Sequence, residues 1–462
     1  MSDLSTISAR AQGLVASQSY LGIGKVASIN DPDIINLGTA ENKLTSAEMS
    51  ERMNVVRPVV TDQDLLYGQY NGHDALRRQL AHLLNRHFKP LQPVLIDEVQ
   101  VTNGCASAIN AIAQVCCDAG DCILLPSPYY GGFFNDTLYT ARCELVPVPA
   151  TSYNEFQVSV EDINATYQYA TVSLAKRITA IIVCSPNNPL GRTYSKEWLE
   201  EVLNWAAERK LHVIVDELYA LSVWGETAEP FSPFTSALAI KVPDPLRTHV
   251  LHGIAKDFLS NGLRMAWIVS RNPAIISALD KLGFFYSTSN LMQNWMCNMF
   301  SDHAWVDNFI KTNNLRIRDV YLKTTKWLTD HEIPFVEANS GFFIWIDLRR
   351  WLLPTGASST SNASLTHSKS SSKPISTNSL SVKMASPATI GARRKEREIE
   401  LFYALLQNKI YIAPGEAFYC DEEGWFRIIF AVEWPVLQEG LERMAKVLDD
   451  RLAKSFAGLN VD

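Results

Sequence analysis

The stretch RTHVLHGIAKDFLSNGLRMAWIVS, residues 247–270, contains two apolar runs of strand length with a polar turn between them. Neither run alternates apolar with polar residues, which is typical of strands buried on both faces of a mainly parallel sheet. Lys256 comes directly after the first run, where a lysine is costly to bury unless its amine is neutral or engaged. The stretch therefore predicts an α/β sheet with a candidate functional lysine at the end of one strand.

Two residues of this stretch are candidates for cofactor binding. A desolvated lysine amine of lowered pKa can form a Schiff base with an aldehyde cofactor. Arg264 ends the segment NGLR eight residues after Lys256. A fixed guanidinium near that amine suits a phosphate, because it donates two parallel hydrogen bonds. Taken alone, the segment is also compatible with a lysine whose ammonium reaches the surface.

Four further runs of the same type precede this stretch: EVQVTNG at 98–104, DCILLPSP at 121–128, ITAIIVCSP at 178–186 and LHVIVDE at 211–217. Helix-like stretches separate the runs, which favours right-handed crossovers between parallel strands. The loops after the strands then lie along one edge of the sheet, where open α/β sheets bind their ligands.

Composition limits the class of protein. The chain has 462 residues, 47% of them hydrophobic and 20% charged, which excludes a disordered or coiled-coil chain and predicts two domains. A net charge of −7 argues against the basic surface that nucleic-acid binding requires. Eight cysteines without metal-ligand spacing predict reduced core thiols and no metal site. Because neither a secretory signal nor a long apolar run is visible, we expect a cytoplasmic protein without a membrane span.

Residues 354–392 depart from the α/β pattern. They contain twelve serines, five threonines and no aromatic residue, so they cannot bury enough apolar surface to order themselves. Strand-like GFFIWIDL precedes them, and helix-like RRKEREIELFYALLQ and strand-like WFRIIFA follow. We therefore expect a flexible insertion within a C-terminal domain. The predicted division is an N-terminal arm with part of the small domain at 1–45, a large domain at 46–295 and a small domain at 296–462.

Polar side chains follow two of the predicted strands. Asp216 and Tyr219 lie in VIVDELYA, and a buried aspartate needs a cation such as a protonated pyridine nitrogen. Tyr219 is placed to reach the phenolic oxygen of the same ring. In the loop SPNNPLGRTYS at 185–195, the prolines hold the chain extended and Asn188 is the amide that we expect to face a ligand. Each segment alone also fits a structural role, as a capping Asp with a core Tyr or as a turn.

Two further segments suit a phosphate and an aromatic ring. NGCASA at 103–108 is a glycine turn that enters a helix, and the free N–H groups at a helix N-terminus bind anions. SPYYGGF at 127–133 supplies Tyr130, a flat ring that can stack on a cofactor. Core packing is the alternative for that tyrosine.

Taken together, these motifs and their order resemble the fold-type I pyridoxal-phosphate enzymes, and within them the 1-aminocyclopropane-1-carboxylate (ACC) synthase and aminotransferase group. The resemblance covers nearly the whole chain outside the Ser-rich insertion. It implies a mainly parallel seven-stranded sheet in a large domain that binds pyridoxal 5′-phosphate (PLP), and a smaller α/β C-terminal domain. It also implies a homodimer with shared active sites.

The same resemblance implies a role for each candidate residue. Lys256 holds the cofactor and then removes the substrate's Cα proton. The implied cofactor-binding residues are Cys105, Ala106, Ser107 and Arg264 at the phosphate, Tyr130 over the ring, Asp216 at the pyridine nitrogen, and Asn188 and Tyr219 at the phenolic oxygen. The implied substrate-side residues are Arg427 in GWFRIIFA on the α-carboxylate, Glu41 in LGTAENKL beside the substrate, and Tyr70 in YGQYNGHDALR, which reaches the neighbouring subunit's cofactor.

Some positions depart from the family pattern. Gly253 and Ala255 stand where serines are usual, and Ala106 stands where a hydroxyl residue is common. Glu416, in APGEAF, occupies the position of a small polar residue. We therefore expect weaker phosphate binding or compensation by another group such as His252.

The resemblance leaves the reaction open among outcomes of one Cα carbanion. The contexts of Glu41, Tyr70 and Arg427 favour the synthase-like branch. We therefore expect an enzyme that acts on an α-amino acid through an external aldimine and Cα deprotonation, as a lyase of the β- or γ-elimination type, with C–S cleavage as one form. An aminotransferase that uses a 2-oxo acid is the alternative, and a catalytically degenerate binding protein on the same fold is the second alternative.

Overall fold

The computed structural model describes residues 4–16, 31–225, 232–353 and 395–459. The Ser-rich segment 354–392, predicted as an insertion, lies outside these residues. The strands are β1 (Ile35–Asn36), β2 (Val99–Thr102), β3 (Cys122–Pro126), β4 (Glu144–Val148), β5 (Ile178–Cys184), β6 (His212–Asp216), β7 (Thr248–Gly253), β8 (Ala266–Ser270), β9 (Phe335–Val336), β10 (Phe343–Asp347), β11 (Ile410–Tyr411), β12 (Ala413–Pro414) and β13 (Trp425–Ile429). The α-helices are α1 (Ala9–Ala16), α2 (Ser46–Val55), α3 (Asp74–His87), α4 (Cys105–Cys116), α5 (Gly132–Leu138), α6 (Val160–Gln168), α7 (Lys196–Glu208), α8 (Pro273–Tyr286), α9 (Asn290–Ser301), α10 (His303–Asp330), α11 (Glu396–Gln407) and α12 (Trp434–Leu459).

The larger sheet has seven strands in the order β2-β8-β7-β6-β5-β3-β4. All are parallel except β8, which runs antiparallel to both of its neighbours. The six runs quoted above form β2, β3, β5, β6, β7 and β8, so the predicted mainly parallel sheet is confirmed. The sequence analysis did not locate β4, which contains Pro147 and pairs only with β3. A proline is tolerated there because an edge strand leaves one side without ladder hydrogen bonds.

Both faces of this sheet are buried, as the unbroken apolar runs predict. In β5, Ile181 and Val183 pack into the core under α3, α7 and α9. The alternate residues Ala180 and Ile182 pack into a second core under α4 and α8. This three-layer arrangement is the one that buries both faces of a parallel sheet.

A smaller antiparallel sheet has the order β12-β13-β10-β9 and forms a separate core with α11 and α12. The N-terminal segment joins this part of the chain, because β1 pairs with β11. The long helix α10 contributes Phe309 to the first core and Ile317 to this one. The boundaries at residues 45 and 295 stay predictions.

Two expectations about the chain as a whole can be compared with the structure. All eight cysteines are free, which agrees with reduced core thiols. Of the helices in the described ranges, none is both long and apolar enough to cross a bilayer.

Candidate active site

Most of the candidate residues, though not Tyr70, meet at the carboxyl ends of β5, β6 and β7, where the loops of three parallel strands share one edge. Asp216 is the last residue of β6, and Lys256 lies in the turn after β7. The first residues of α4, the segment 38–41 and Arg427 of β13 complete the surroundings. The smaller sheet therefore contributes to the same site as the larger one.

Lys256 is held at this edge by a backbone carbonyl. Its Nζ donates a hydrogen bond to Ala40 O at 2.7 Å. Burial lowers the pKa of the amine to about 8, and the Arg427 guanidinium acts in the same direction, whereas Glu41 acts against it. Because an amine with this pKa is partly neutral at physiological pH, Lys256 can act as a nucleophile or a base.

Asp216 is a buried carboxylate without a cationic partner of its own. Oδ1 accepts the N–H of Leu218 at 3.2 Å, and no ion pair among the described residues includes this side chain. Burial raises its pKa to about 6, against the opposing effects of the Leu218 N–H, His252 and Lys256. A cation placed beside Asp216 would lower this pKa again and stabilise the carboxylate form, since an opposite charge favours ionisation.

Arg427 is a buried guanidinium that has no anionic partner among the described residues. Its side chain lies in β13 with the residue only 2% exposed. Nη1 donates to Asn188 Oδ1 at 2.8 Å and Nη2 to Gly38 O at 2.6 Å, both neutral acceptors. Nε is buried without a partner in the described part of the chain. A buried cation with only neutral acceptors is prepared for an anion from outside the chain.

Tyr219 supplies a second buried polar atom that lacks a partner. Its Oη is buried and accepts or donates no hydrogen bond within the described ranges. Burial raises the pKa of the hydroxyl well above its usual value, and Arg427 opposes that shift. Tyr130 also acts electrostatically on Tyr219 and packs closely over Gly132, where an added Cβ would come within 2.3 Å of the Tyr130 ring.

The N-terminus of α4 and Arg264 lie side by side in an arrangement that suits an anion, and we refer to them together as the anion cradle. The N–H groups of Cys105, Ala106 and Ser107 precede the first helical hydrogen bond, which Ala108 donates to Gly104 O at 3.0 Å. The Arg264 guanidinium lies against Gly104, since a Cβ added at Gly104 would stand 2.4 Å from Arg264 Nη2. Glycine is thus required here both by its φ of +112° and by the guanidinium.

Glu41 and Tyr70 occupy different surroundings. Glu41 Oε1 accepts a hydrogen bond from Asn261 Nδ2 at 3.1 Å and acts electrostatically on Lys256, so it belongs to the group of site residues. Tyr70 instead packs edge-on against Phe284, with ring centroids 5.4 Å apart. Its roles in catalysis and in a partner's site stay predictions.

Among the departures from the family pattern, the one at Gly253 has a structural reason. Gly253 packs so closely that an added Cβ would lie 2.9 Å from Ala266 Cβ and 3.0 Å from Cys105 Sγ, so a serine does not fit. His252 lies on the opposite face, with Nε2 2.9 Å from Asp257 Oδ2 and its ring against Trp267, so it does not line the cradle. The side chain of Glu416 is exposed.

Sequence reasoning missed one ionisable group of this site. Asp136, in α5, has a buried Oδ2 without a partner among the described residues. Burial raises its pKa to about 7, Asp216 adds to the shift and Arg264 opposes it. In the sequence, the only feature that could have indicated Asp136 as a site residue is its position in the helix that follows the Tyr130 loop. The carbonyl groups of Gly38 and Ala40 were also missed, because every residue carries one.

Comparisons with known proteins agree with this architecture. A family model for aminotransferase class I and II matches residues 32–444. The ACC synthase-like protein 1 of Bos taurus is 33% identical over 429 residues, which cover 91% of this chain and 77% of the relative. The ACC synthase 5 of Oryza sativa subsp. japonica is 27% identical over 444 residues, with coverage of 91% and 74%. A mouse relative at 32% identity, with coverage of 91% and 66%, is named "Probable inactive 1-aminocyclopropane-1-carboxylate synthase-like protein 2".

Solved structures share the fold. The aspartate aminotransferase from Thermus thermophilus with maleate has a TM-score of 0.73 at 21% identity and covers 97% of this chain and 100% of its own. The aromatic aminotransferase from Pyrococcus horikoshii OT3 has a TM-score of 0.72 at 21% identity, with coverage of 93% and 99%. Because the family model matches residues 32–444, which is most of the chain, the chain belongs to the aminotransferase class I and II family, whose enzymes depend on PLP.

Proposed function

We propose that this protein is a PLP-dependent enzyme that breaks the Cα–H bond of an α-amino acid, and that its reaction is a β- or γ-elimination. One observation carries the proposal. The Lys256 amine, with its lowered pKa, shares a site with a buried guanidinium that lacks an anion and a buried carboxylate that lacks a cation. An amino acid and a pyridine cofactor supply those two missing charges.

The groups without partners fit PLP. The α4 cradle with Arg264 suits its phosphate, and the Tyr219 hydroxyl with the Asn188 amide suits its phenolic oxygen. Asp216 suits a protonated ring nitrogen. When bound, PLP supplies an aldehyde that takes up an amino group and a ring that accepts the electron pair left at Cα.

The chain's own residues orient the substrate and move its proton. Arg427 binds the α-carboxylate through Nε and a terminal nitrogen, and the hydrogen bonds to Gly38 O and Asn188 Oδ1 hold the guanidinium plane. A bidentate clamp of this kind fixes the direction of the Cα–H bond. Lys256 Nζ, anchored near Ala40, then takes the Cα proton as general base.

Glu41 supports elimination as the outcome. Asn261 orients its carboxylate beside Lys256, so the site holds a second group that can move a proton. Elimination uses such a group at the leaving group, whereas transamination needs only the lysine to carry the proton. The names of the relatives, ACC synthase-like protein and ACC synthase, also support the synthase-like branch.

Transamination is the second candidate, because Lys256, Asp216 and Arg427 suffice for it without Glu41. A binding protein that has lost catalytic activity is the third candidate, and it is supported by the word "inactive" in the name of the mouse relative. Because Lys256, Arg264, Arg427 and Asp216 all lie in one site, a catalytic function is favoured over binding without catalysis.

The test is product analysis with the PLP-loaded protein. It is incubated with amino acids that carry a sulfur leaving group, with and without a 2-oxo acid. We expect a keto acid and ammonia in equal amounts without the acceptor, and a Glu41→Gln variant that keeps PLP but loses turnover. Strict dependence on the 2-oxo acid would establish transamination, and no product in either arm would contradict the elimination proposal.

We also propose a homodimer with shared sites. Large apolar side chains are exposed on two adjoining segments, including Leu65 at 75%, Tyr67 at 96% and Phe285 at 71%. Asn290 Nδ2 joins these segments by donating to Leu66 O at 2.6 Å. A second copy of the chain would cover this apolar surface, whose exposure is costly.

The test of shared sites is to mix two inactive variants. Lys256→Ala and Tyr70→Ala subunits should recover activity when mixed, because a mixed dimer contains one site with both residues intact. Sedimentation establishes the dimer separately. Dimers that recover no activity would place Tyr70 outside the partner's site.

A further inference from the structure

Three side chains with metal-binding atoms converge at the edge of the larger sheet opposite to Lys256. They are Cys116, His212 and His249, and their Sγ and imidazole nitrogen atoms all lie within 4.8 Å of one another. None of them belongs to the candidate active site. We propose that these three residues bind a zinc ion.

The fold brings the three residues together from distant parts of the chain. His212 is the first residue of β6, and His249 is the second residue of the adjacent parallel strand β7. Cys116 is the last residue of α4, the helix that covers this face of the sheet. The helix begins at the anion cradle, so its rise of about 1.5 Å per residue places the cluster roughly 16 Å from that cradle.

The two imidazoles already face each other through one nitrogen each. His212 Nδ1 and His249 Nε2 are 3.1 Å apart, a distance at which one of them donates a hydrogen bond to the other. His249 Nδ1 lies 2.9 Å from Ser270 Oγ on the neighbouring strand β8. When Nδ1–H donates to that oxygen, Nε2 is left with its lone pair directed at the cluster. A hydrogen bond to the second nitrogen is the usual way in which proteins fix a metal-binding histidine.

The donor set and its spacing favour zinc. A thiolate with two imidazoles is typical of Zn²⁺, which takes nitrogen at about 2.0 Å and sulfur at about 2.3 Å in tetrahedral geometry. Ligand atoms around such an ion stand roughly 3.3–3.6 Å apart. The two nitrogens, 3.1 Å apart, nearly meet this spacing, and the sulfur, within 4.8 Å of both, has to approach by at most roughly 1.5 Å. Water completes the fourth position.

Cys116 is free to make that approach. It is half-buried at the end of its helix, and no hydrogen bond joins its thiol to another of the described residues. His212 is also half-buried, so two of the three proposed ligands belong to residues that are partly exposed to solvent. The charged groups that act on His212 are Arg247 and Asp244, which pair with each other at 2.7 Å, so their charges largely cancel.

The sequence analysis expected no metal site because the cysteines lack metal-ligand spacing. The ligands proposed here lie 96 and 37 positions apart along the chain, so no local motif could reveal them. Their proximity follows from strand pairing and from the placement of α4.

The experiment measures zinc binding by the purified, PLP-loaded protein. The protein is treated with a chelator and titrated with Zn²⁺ against a competing dye. We expect one equivalent to bind tightly, and Cys116→Ser and His212→Gln to lose it. Cys297→Ser is the matched control, since it changes another half-buried thiol, in α9, and should keep the ion. Lys256→Ala, tested without PLP, should also keep the ion, because Lys256 lies at the opposite edge of the sheet.

A second measurement does not depend on how well the variants fold. Co²⁺ added to the wild-type protein should give a thiolate-to-metal charge-transfer band and the visible bands of a tetrahedral site, both removed by Zn²⁺.

Ser270→Ala should weaken zinc binding by roughly 10-fold, because His249 loses the hydrogen bond to its second nitrogen. No stoichiometric binding, or equal binding by wild type and Cys116→Ser, would overturn the proposal and leave His212 and His249 as a hydrogen-bonded pair.

Discussion

The anion cradle gives the sharpest prediction, because a single methyl group should disrupt it. In Gly104→Ala, the new Cβ would lie 2.4 Å from Arg264 Nη2 and 2.7 Å from Arg264 Cζ. Real Cβ atoms do not approach this closely, so the guanidinium must move. The backbone at φ 112° and ψ 164° is also a conformation that glycine alone adopts readily, at a cost of about 1–3 kcal/mol for other residues.

The two effects have different consequences. Backbone strain lowers the stability of the protein by about 1–3 kcal/mol. Displacement of Arg264 removes a hydrogen bond from a charged donor to the phosphate, worth about 1.5–3 kcal/mol. That loss corresponds to PLP affinity lower by roughly 10- to 100-fold.

Two other glycines separate these effects. Gly120 has a φ of +93° but no atom within 4 Å of an added Cβ, so Gly120→Ala should cost stability and leave PLP affinity unchanged. Gly262 has open space without positive φ, so Gly262→Ala should change neither. The assay is a PLP titration of the cofactor-free protein, repeated with pyridoxal, which lacks the phosphate. Unchanged PLP affinity in Gly104→Ala, or an equal loss for pyridoxal, would refute the assignment of the cradle.

Three further predictions concern the charged residues of the site. Burial raises the pKa of Asp216 to about 6, so the cofactor-free protein loses stability as the pH rises from about 4 to about 6. Asp216→Asn should therefore stabilise it by roughly 1–3 kcal/mol at pH 7.5 and not near pH 4, as thermal unfolding would measure; an equal effect at both values would contradict the buried charge. Because burial lowers the pKa of Lys256 to about 8, the rate at which PLP attaches should rise up to about pH 8 and then level, and a midpoint near the usual lysine value would be evidence against it. Arg427→Lys should raise KM about 10- to 100-fold by loss of one charge-assisted hydrogen bond, with a smaller change in kcat. An unchanged KM would show that Arg427 does not bind the α-carboxylate of the substrate.

Much of the fold follows from hydrophobic patterning. Residues of β5 such as Ile181 and Ile182 pack into opposite cores, which is why the run is unbroken and why it could be identified. Strand β4 is different, since Pro147 disrupts the pattern and only its position at the edge makes that residue acceptable. Edge positions depend on the assembled sheet and are not visible in a local run.

The candidate site was predictable where its residues follow strands. Asp216 and Lys256 lie at strand ends, and the topology brings strand ends together. Asp136 and the carbonyl of Ala40 approach the site from other elements, so their roles depend on packing. The exclusion of His252 from the cradle also required the structure, because strand alternation places it on the face opposite to Cys105.

The central claim is that Lys256 is the residue that holds PLP. The purified protein is loaded with PLP, treated with borohydride to make the bond permanent, and digested for peptide mapping by mass spectrometry. We predict a pyridoxyl-phosphate group on the peptide that contains Lys256, in one equivalent per chain, and none in Lys256→Ala. Modification spread over surface lysines, or the same modification in Lys256→Ala, would contradict the claim.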